Sequence, residues 1–441
     1  MAQLSNSIRS KNARVLVVSG EPFNKATATG ITMSNLFLDI APSELFQIFS
    51  ADLKPIEHMV ETPWRLTNCD LRFVRKLKGL VPKYFRRDEV SVHSDSQPNV
   101  GRVRGVSGSI RTAIVPWLDI LPYDPPEQMF QCLDIFRPQV IYSLLGNIRL
   151  VRLVEMLSLR YAIPVVPHFM DDWISTYSVP GRSGSVPFSR AILNYHVSKM
   201  MRRAPFGFAI GDAMAKEYSE KFGVPHYAFM NPVQLGPEIT CSKNKCVTIG
   251  YVGGLHLSRH ANLMEASKVV NELNSQGHCV KLQVWSPKAD MAQYGSALES
   301  AGAQCGSLAA DEVADQIGKL DIALHVESFL RDEARYTRLS VSTKIPQYLA
   351  AGLPIIAFGP PSAASCQYIV ENRCGIGVGE TGQTLKDAIL KLINSDSLRA
   401  LYSKNGRSLA RERHDAEKER KRFSELLFAA ANSQSQVRTT G

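Results

Sequence analysis

The chain has 441 residues, a length that suits two or three domains rather than a single core. Hydrophobic residues make up 44% and charged residues 21%, the balance of a globular protein, so broad disorder is excluded. Lys and Arg number 51 against 41 Asp and Glu, and the formal charge of +10 favours anionic partners: nucleic acid, a phosphate-bearing ligand or an acidic membrane surface.

The stretch from Met1 to Arg14 is polar and lacks an apolar h-region, so no signal peptide is expected. No run of about 18 apolar residues occurs, so no transmembrane helix is expected either. The 8 cysteines are scattered and form no Cys-x-x-Cys pair, the closest being Cys241 with Cys246 and Cys366 with Cys374. That usage predicts a reducing cytosol, inert buried thiols and no structural zinc.

In chain order, the first buried-strand run is Val15 to Ser19, opening into Gly20. Strand-like runs recur at Val140–Leu144, Pro164–Phe169 and Phe206–Ile210, separated by helix-period stretches such as Ile148–Tyr161 and Phe188–Arg203. This alternation predicts an open, mostly parallel sheet with helices on both faces. The stretch 231–246 is polar, rich in Pro and Lys, and without period, so it reads as a linker. The alternation resumes at Val247, with runs at Val280–Trp285, Asp321–Val326 and Pro354–Phe358. The expectation is two doubly wound domains, over 1–235 and 245–412, and a C-terminal helix and tail over 413–441 that returns to the first domain. Ligands of such sheets bind at the carboxyl ends of strands, so the loops there are the place to look.

Two loops carry chemistry. After the Val247 strand comes Gly253-Gly254-Leu255-His256-Leu257-Ser258-Arg259. Its glycines allow close backbone approach, and Arg259 at a helix start makes an anion site; the alternative is a tight turn with a surface arginine. The second is Ser342-Thr343-Lys344-Ile345-Pro346-Gln347, then Gly352 and Pro354. Ser342 or Thr343 is expected to cap the helix, and Gly352 to end it. The helix start, the hydroxyls and Lys344 fit a diphosphate, and Gln347 can reach a ribose hydroxyl; the alternative is an ordinary capped helix with a solvated lysine.

The segment STKIPQYLAAGLPII resembles the S-x-K-[IL]-x-E-Y-L-A-A-G-x-P signature of the glycosyltransferase group 1 family (family four), whose fold is GT-B. VSGEPFNKATATGITMSNLF is similar to that family's first strand and glycine loop, and VVPHFMDDWIST to a segment of its bacterial polysaccharide members. FGFAIGDAMAKEYSEKFG followed by Asn231-Pro232-Val233 matches a further segment, and the four fall in the family's order from about residue 14 to 411. The resemblance implies transfer of a sugar from a nucleotide-diphosphate donor to a saccharide or lipid-linked acceptor in cell-surface polysaccharide synthesis, with retention. It implies a diphosphate held by Arg259 and Lys344, a base near Gly306, a ribose at Gln347, an acceptor near Thr29 and Gly30, and His168 facing the donor sugar.

The family's Glu-x7-Glu pair is broken. Gln347 replaces the second Glu, and Leu339 stands where the first belongs. Glu327 or Glu333 is a candidate replacement. His168, Asp171 and Asp172 form a second candidate set, with His168 able to contact a sugar hydroxyl or move a proton. Alternatively an Asp caps the next helix and the ring packs on Trp173. No metal or cofactor is expected, because GT-B enzymes neutralise the leaving diphosphate with a helix start and basic side chains.

Between Leu71 and Arg87 stand Arg72, Arg75, Lys76, Lys78, Lys83, Arg86 and Arg87, with no acid and with an apolar stripe at helical spacing. Such an element can lie on an anionic bilayer, each charge contributing roughly 1 kcal/mol. A solvated helix with its stripe in the core is the equal alternative. The expected location is the cytoplasm, including the membrane's inner face. Nucleic-acid binding is disfavoured because the positive excess is spread over both halves of the chain. A nucleotide-sugar epimerase and a non-catalytic homologue of the same fold are the competing readings.

Overall fold

In the computed structural model, the described residues are 13–61, 63–72, 120–177, 188–236 and 246–433. The first sheet has seven parallel strands: β1 (Val15–Ser19), β2 (Leu45–Phe49), β3 (Pro63–Arg65), β4 (Val140–Leu144), β5 (Val165–Phe169), β6 (Gly207–Ala209) and β7 (His226–Ala228). Their order is β3-β2-β1-β4-β5-β6-β7. The second sheet has six: β8 (Val247–Val252), β9 (Val280–Trp285), β10 (Gln304–Gly306), β11 (Ile322–Val326), β12 (Ile355–Phe358) and β13 (Gly375–Val378), ordered β10-β9-β8-β11-β12-β13. Every strand pairing is parallel.

Local chemistry explains the elements. Strands β1, β2, β4, β5 and β11 are buried at every position, as expected of sheets covered on both faces. Thr27 Oγ1 accepts from Gly30 N at 3.0 Å and Asn147 Oδ1 from Leu150 N at 2.9 Å, starting the helices Ala28–Phe37 and Ile148–Tyr161. Gly352 ends the helix Ile345–Ala351 at φ 74, a left-handed position suited to glycine. Strand order reverses at β1/β4 in the first sheet and at β8/β11 in the second, so the loops after β1, β8 and β11 border the two switch points.

The helix Ala416–Ser433 returns to the first sheet. Its Phe423 is fully buried among Phe37 (4.9 Å between centroids), Phe208 (5.2 Å), Phe229 (5.4 Å) and Tyr142 (5.8 Å). Burying such a ring stabilises by about 2–3 kcal/mol. Among the described residues, no helix is long and apolar enough to cross a membrane.

The cysteine reading needs one correction. Cys246 and Cys279 are joined as a disulfide, although 33 residues apart. They occupy equivalent positions just before β8 and β9, neighbouring parallel strands, which brings their Cα atoms to 4.6 Å. Cys366 and Cys374 remain free and buried, and burial pushes both thiols up, to about 12 and about 11.

Candidate active site

The loop after β8 is held in an unusual shape. Leu257 (φ 56) and Ser258 (φ 54) are both left-handed, and Asp290 Oδ2 accepts from Leu255 N at 2.7 Å. Gly253 and Gly254 leave room for Tyr251 and His256, since a Cβ there would lie 2.9 Å from Tyr251 Oη or 2.4 Å from His256 Nδ1. Ser258 Oγ donates to Glu333 Oε1 at 2.9 Å rather than capping the helix Arg259–Ser275. That helix therefore presents its start without a side-chain cap, and Arg259 stands at it.

Glu327 follows β11. It is 2% exposed, with Arg259 Nη2 at 3.1 Å and His325 Nε2 at 3.3 Å. Burial alone would raise its carboxyl, but the Arg259 guanidinium and the His325 ring outweigh it and hold the group at about 2. A carboxylate so enclosed and so paired holds the Arg259 guanidinium in place.

Lys344 and Gln347 bracket the first turn of the helix Ile345–Ala351. The expected cap is corrected: Lys344 itself occupies the cap position and no side chain caps the helix, while Ser342 Oγ accepts only from Lys344 N, at 3.4 Å. Among the described residues Lys344 forms no ion pair, and burial pulls its ammonium down to about 8. Gln347 Oε1 is likewise enclosed without a hydrogen-bond partner there. One turn on, Tyr348 Oη binds both the N–H and the carbonyl of Val252 (3.0 and 3.3 Å), pinning this helix to the end of β8. Leu339 is 4% exposed and packed, so no carboxylate stands at that position. Gly306 ends β10 beneath Trp285, whose ring a Cβ would meet at 2.1 Å.

The segment before Lys344 lies along the first domain. Arg338 makes two bonds to Glu217 (2.7 and 2.8 Å) and approaches Asp172 at 3.8 Å. Ser340 Oγ donates to Asp171 Oδ1 at 2.8 Å. Asn231 Nδ2 donates to the Thr343 carbonyl at 3.3 Å, while its Oδ1 accepts from Asn35 at 2.9 Å.

These contacts relocate the second candidate set. Asp172 is 2% exposed and accepts from Tyr218 Oη at 2.7 Å; it caps no helix with its side chain. Asp171 and Asp172 therefore take different partners along the domain seam. His168 does not face the cleft. It is 1% exposed, with Tyr142 Oη at 2.7 Å from Nδ1 and an edge contact to Phe208, and burial drives its pKa to about 3. The physical reason is strand alternation, which turns this position into the layer shared with Phe423.

On the acceptor side, Gly30 is buried against Asn24, and a Cβ there would lie 2.0 Å from Asn24 Nδ2. Thr29 is half-buried one residue earlier. Of the basic segment, Arg72 is described and exposed; Arg75, Lys76, Lys78, Lys83, Arg86 and Arg87 lie outside the described residues. Sequence reasoning missed Tyr348, Arg338 and Asn231 as organisers of the site. Asn231 carried a signal inside the Asn-Pro-Val segment and Tyr348 inside STKIPQYLAAGLPII, whereas Arg338 carried none. Among the described residues, no group of three or more His, Cys, Asp or Glu is placed to hold a metal ion.

No family model matches the chain, and no curated protein does. Solved structures do. A glycosyltransferase from Rickettsia africae is similar at 10% identity and TM-score 0.59, covering 96% of this chain and 100% of its own. An α,α-trehalose 6-phosphate synthase from Burkholderia multivorans is similar at 11% identity and TM-score 0.57, covering 98% and 99%. An E. coli trehalose-6-phosphate structure bound with UDP-2-fluoro glucose is similar at 8% identity and TM-score 0.57, covering 94% and 99%. Against TarM of S. aureus the TM-score is 0.46 and the chain spans 57% of that chain's length. With identities this low, the full-length likenesses establish the fold alone: two parallel-sheet domains in the GT-B arrangement.

Proposed function

We propose that this chain is a glycosyltransferase that binds a nucleotide-diphosphate sugar at the carboxyl ends of β8 and β11 and passes the sugar to an acceptor held by the first domain. One observation carries the reading. Lys344 keeps a half-buried ammonium with no ion-pair partner among the described residues, an unfavourable arrangement unless an anion completes it. Arg259, oriented by Glu327, supplies a second cation at an uncapped helix start. Gln347, with its unpartnered oxygen, suits a ribose hydroxyl.

In this mechanism the acceptor hydroxyl attacks the anomeric carbon as its bond to the diphosphate breaks. The departing charge falls on Lys344, Arg259 and the helix start. Among the described residues no side chain on the acceptor side stands out as a base, so in this mechanism the leaving phosphate takes the hydroxyl proton. That same-face route gives retention, the outcome the family resemblance implies. A saccharide or lipid-linked acceptor, in cell-surface polysaccharide synthesis at the inner face of the membrane, completes the proposal.

The test is a thermal-shift screen of nucleoside diphosphates and their sugars, followed by donor hydrolysis with the best binder. We expect a nucleoside diphosphate to raise the Tm and Lys344→Gln to abolish the rise. No shift with any of them would refute the donor site. The packed Leu339 and the neutral Gln347 favour one rival, a binding protein without turnover. Tight donor binding with neither hydrolysis nor transfer would select it.

A further inference from the structure

Asn231 lies just past β7, where the first domain gives way to the second, and it is 1% exposed. A buried amide needs a donor for its oxygen and an acceptor for its nitrogen. Asn231 takes the two from different domains. Its Oδ1 accepts from Asn35 Nδ2 of the helix Ala28–Phe37 at 2.9 Å, and its Nδ2 donates to the Thr343 carbonyl at 3.3 Å.

The first-domain end of this bridge is well anchored. The Asn35 carbonyl accepts from Arg420 Nε of the tail helix at 2.8 Å, and Arg420 is itself buried. Val233 N donates to the His414 carbonyl at 2.8 Å and Ala416 N to the Val233 carbonyl at 3.1 Å, so the tail also grips the backbone beside Asn231. The second-domain end is held more lightly. The Thr343 carbonyl belongs to the peptide that carries the Lys344 N–H, and that N–H reaches Ser342 Oγ at 3.4 Å, a long bond. Lys344 in turn opens the helix Ile345–Ala351, which no side chain caps. Ser365 Oγ accepts from Ser342 N at 3.2 Å within the second domain, and Asn231 reaches the next residue from the first.

We infer that Asn231 is a positioning residue for donor binding: its amide ties the peptide before Lys344 to the first domain and so sets where the ammonium meets the diphosphate. The inference rests on the donor-site reading. It makes a cation of the second domain depend on a helix of the first, through a continuous run of hydrogen bonds from Arg420 to Asn35, Asn231 and Thr343. An amide suits the task because one end accepts and the other donates; alanine supplies neither.

The test uses the full chain and two readouts. UDP, ADP and GDP are titrated calorimetrically, and the tightest serves as the probe. We expect Asn231→Ala to weaken it roughly 3–30-fold, and Asn35→Ala to act in the same direction by less. In the ligand-free protein, NMR of labelled lysine side chains follows the Lys344 ammonium. It should titrate at about 8 in the natural chain and nearer the ordinary lysine value of about 10.4 in Asn231→Ala, as the freed peptide lets the side chain reach water. Asn274→Ala is the control. It removes an amide that bonds Val280 at both its N–H and its carbonyl, where β9 starts, at the opposite end of the strands from the site. It should lower the Tm and move neither readout. If Asn231→Ala does not fold, Asn35→Ala carries the same test. A lower Tm with probe affinity and Lys344 titration both unchanged would overturn the inference and leave Asn231 a residue of the fold. If no nucleoside diphosphate binds the natural chain, the donor-site reading falls, and the Lys344 titration still decides whether Asn231 positions that side chain.

Discussion

Arg259 and Glu327 form an ion pair with a carboxylate that is almost wholly enclosed, Nη2 to Oε2 at 3.1 Å. The pair connects the start of a long helix to the end of β11, across the switch point of the second sheet. Removing the negative partner leaves a guanidinium that is 16% exposed without its counter-charge. Glu327→Gln should therefore cost about 3 kcal/mol at neutral pH and weaken nucleoside diphosphate binding as Arg259 loses its orientation. The folded carboxyl sits at about 2, below the unfolded value, so its contribution is complete above the unfolded pKa and fades as pH falls toward 2. Chemical denaturation of both proteins from neutral to acid pH measures this. A stability gap that stays constant below about pH 4 would refute the assignment.

Lys344 has the opposite sign. Burial lowers its pKa to about 8, so the charged form is disfavoured in the fold, and the penalty is relieved as pH rises above that value. Lys344→Met should stabilise the ligand-free protein by about 1–2 kcal/mol at neutral pH, with the gain shrinking between pH 8 and 10. The same change should weaken binding of the best nucleoside diphosphate roughly 10–100-fold. Stability and affinity falling together would mean that Lys344 serves the fold.

Asp171 and Asp172 divide along the seam. Asp172 is the buried acceptor of Tyr218, so Asp172→Ala should cost about 2–3 kcal/mol. Asp171 is half-buried against Ser340, and Asp171→Ala should cost under about 1 kcal/mol. Differential scanning calorimetry separates the two, and similar losses would contradict this division.

In the proposed mechanism Lys344, Arg259 and the helix start neutralise the leaving diphosphate, while the Asp pair is engaged with Ser340, Tyr218 and Arg338. Transfer should therefore persist in excess EDTA. Complete loss, restored by Mg²⁺ or Mn²⁺, would overturn this assignment.

The strand rhythm was legible because strands buried on both faces are written as continuous apolar runs; Val15–Ser19 and Val140–Leu144 agree residue for residue. The helix Ile148–Tyr161 agrees for a related reason, having an apolar stripe between an Asn cap and a left-handed end. Three-residue strands such as Pro63–Arg65 and Gln304–Gly306 were not legible, being too short for a period to emerge. Neither was the cap at Lys344, since Ser342 and Thr343 both carry the right side chain and only tertiary contacts decide against them. His168 misled because a histidine beside two aspartates reads the same whether it lines a cleft or a core. The Cys246–Cys279 pairing depends on two strand starts being neighbours, a fact of topology and not of spacing.

His168 and His414 together make an acid-sensitive core. His168 lies beside Tyr142, and His414, 1% exposed, has Tyr368 Oη at 2.8 Å from Nε2 where the tail helix begins. Burial lowers each ring to about 3, with Arg413 adding to the effect at His414. Each is neutral in the fold and gains a proton on unfolding below the ordinary histidine value. Their contribution is thus complete above about pH 6.5 and is lost progressively as pH falls toward 3. Unfolding should take up close to two protons from these groups near pH 5. In the variant carrying both His168→Gln and His414→Gln, the dependence of ΔG on pH between 6.5 and 4 should flatten accordingly. An unchanged slope would mean that these rings are protonated within the fold, and that the core around Phe423 admits water.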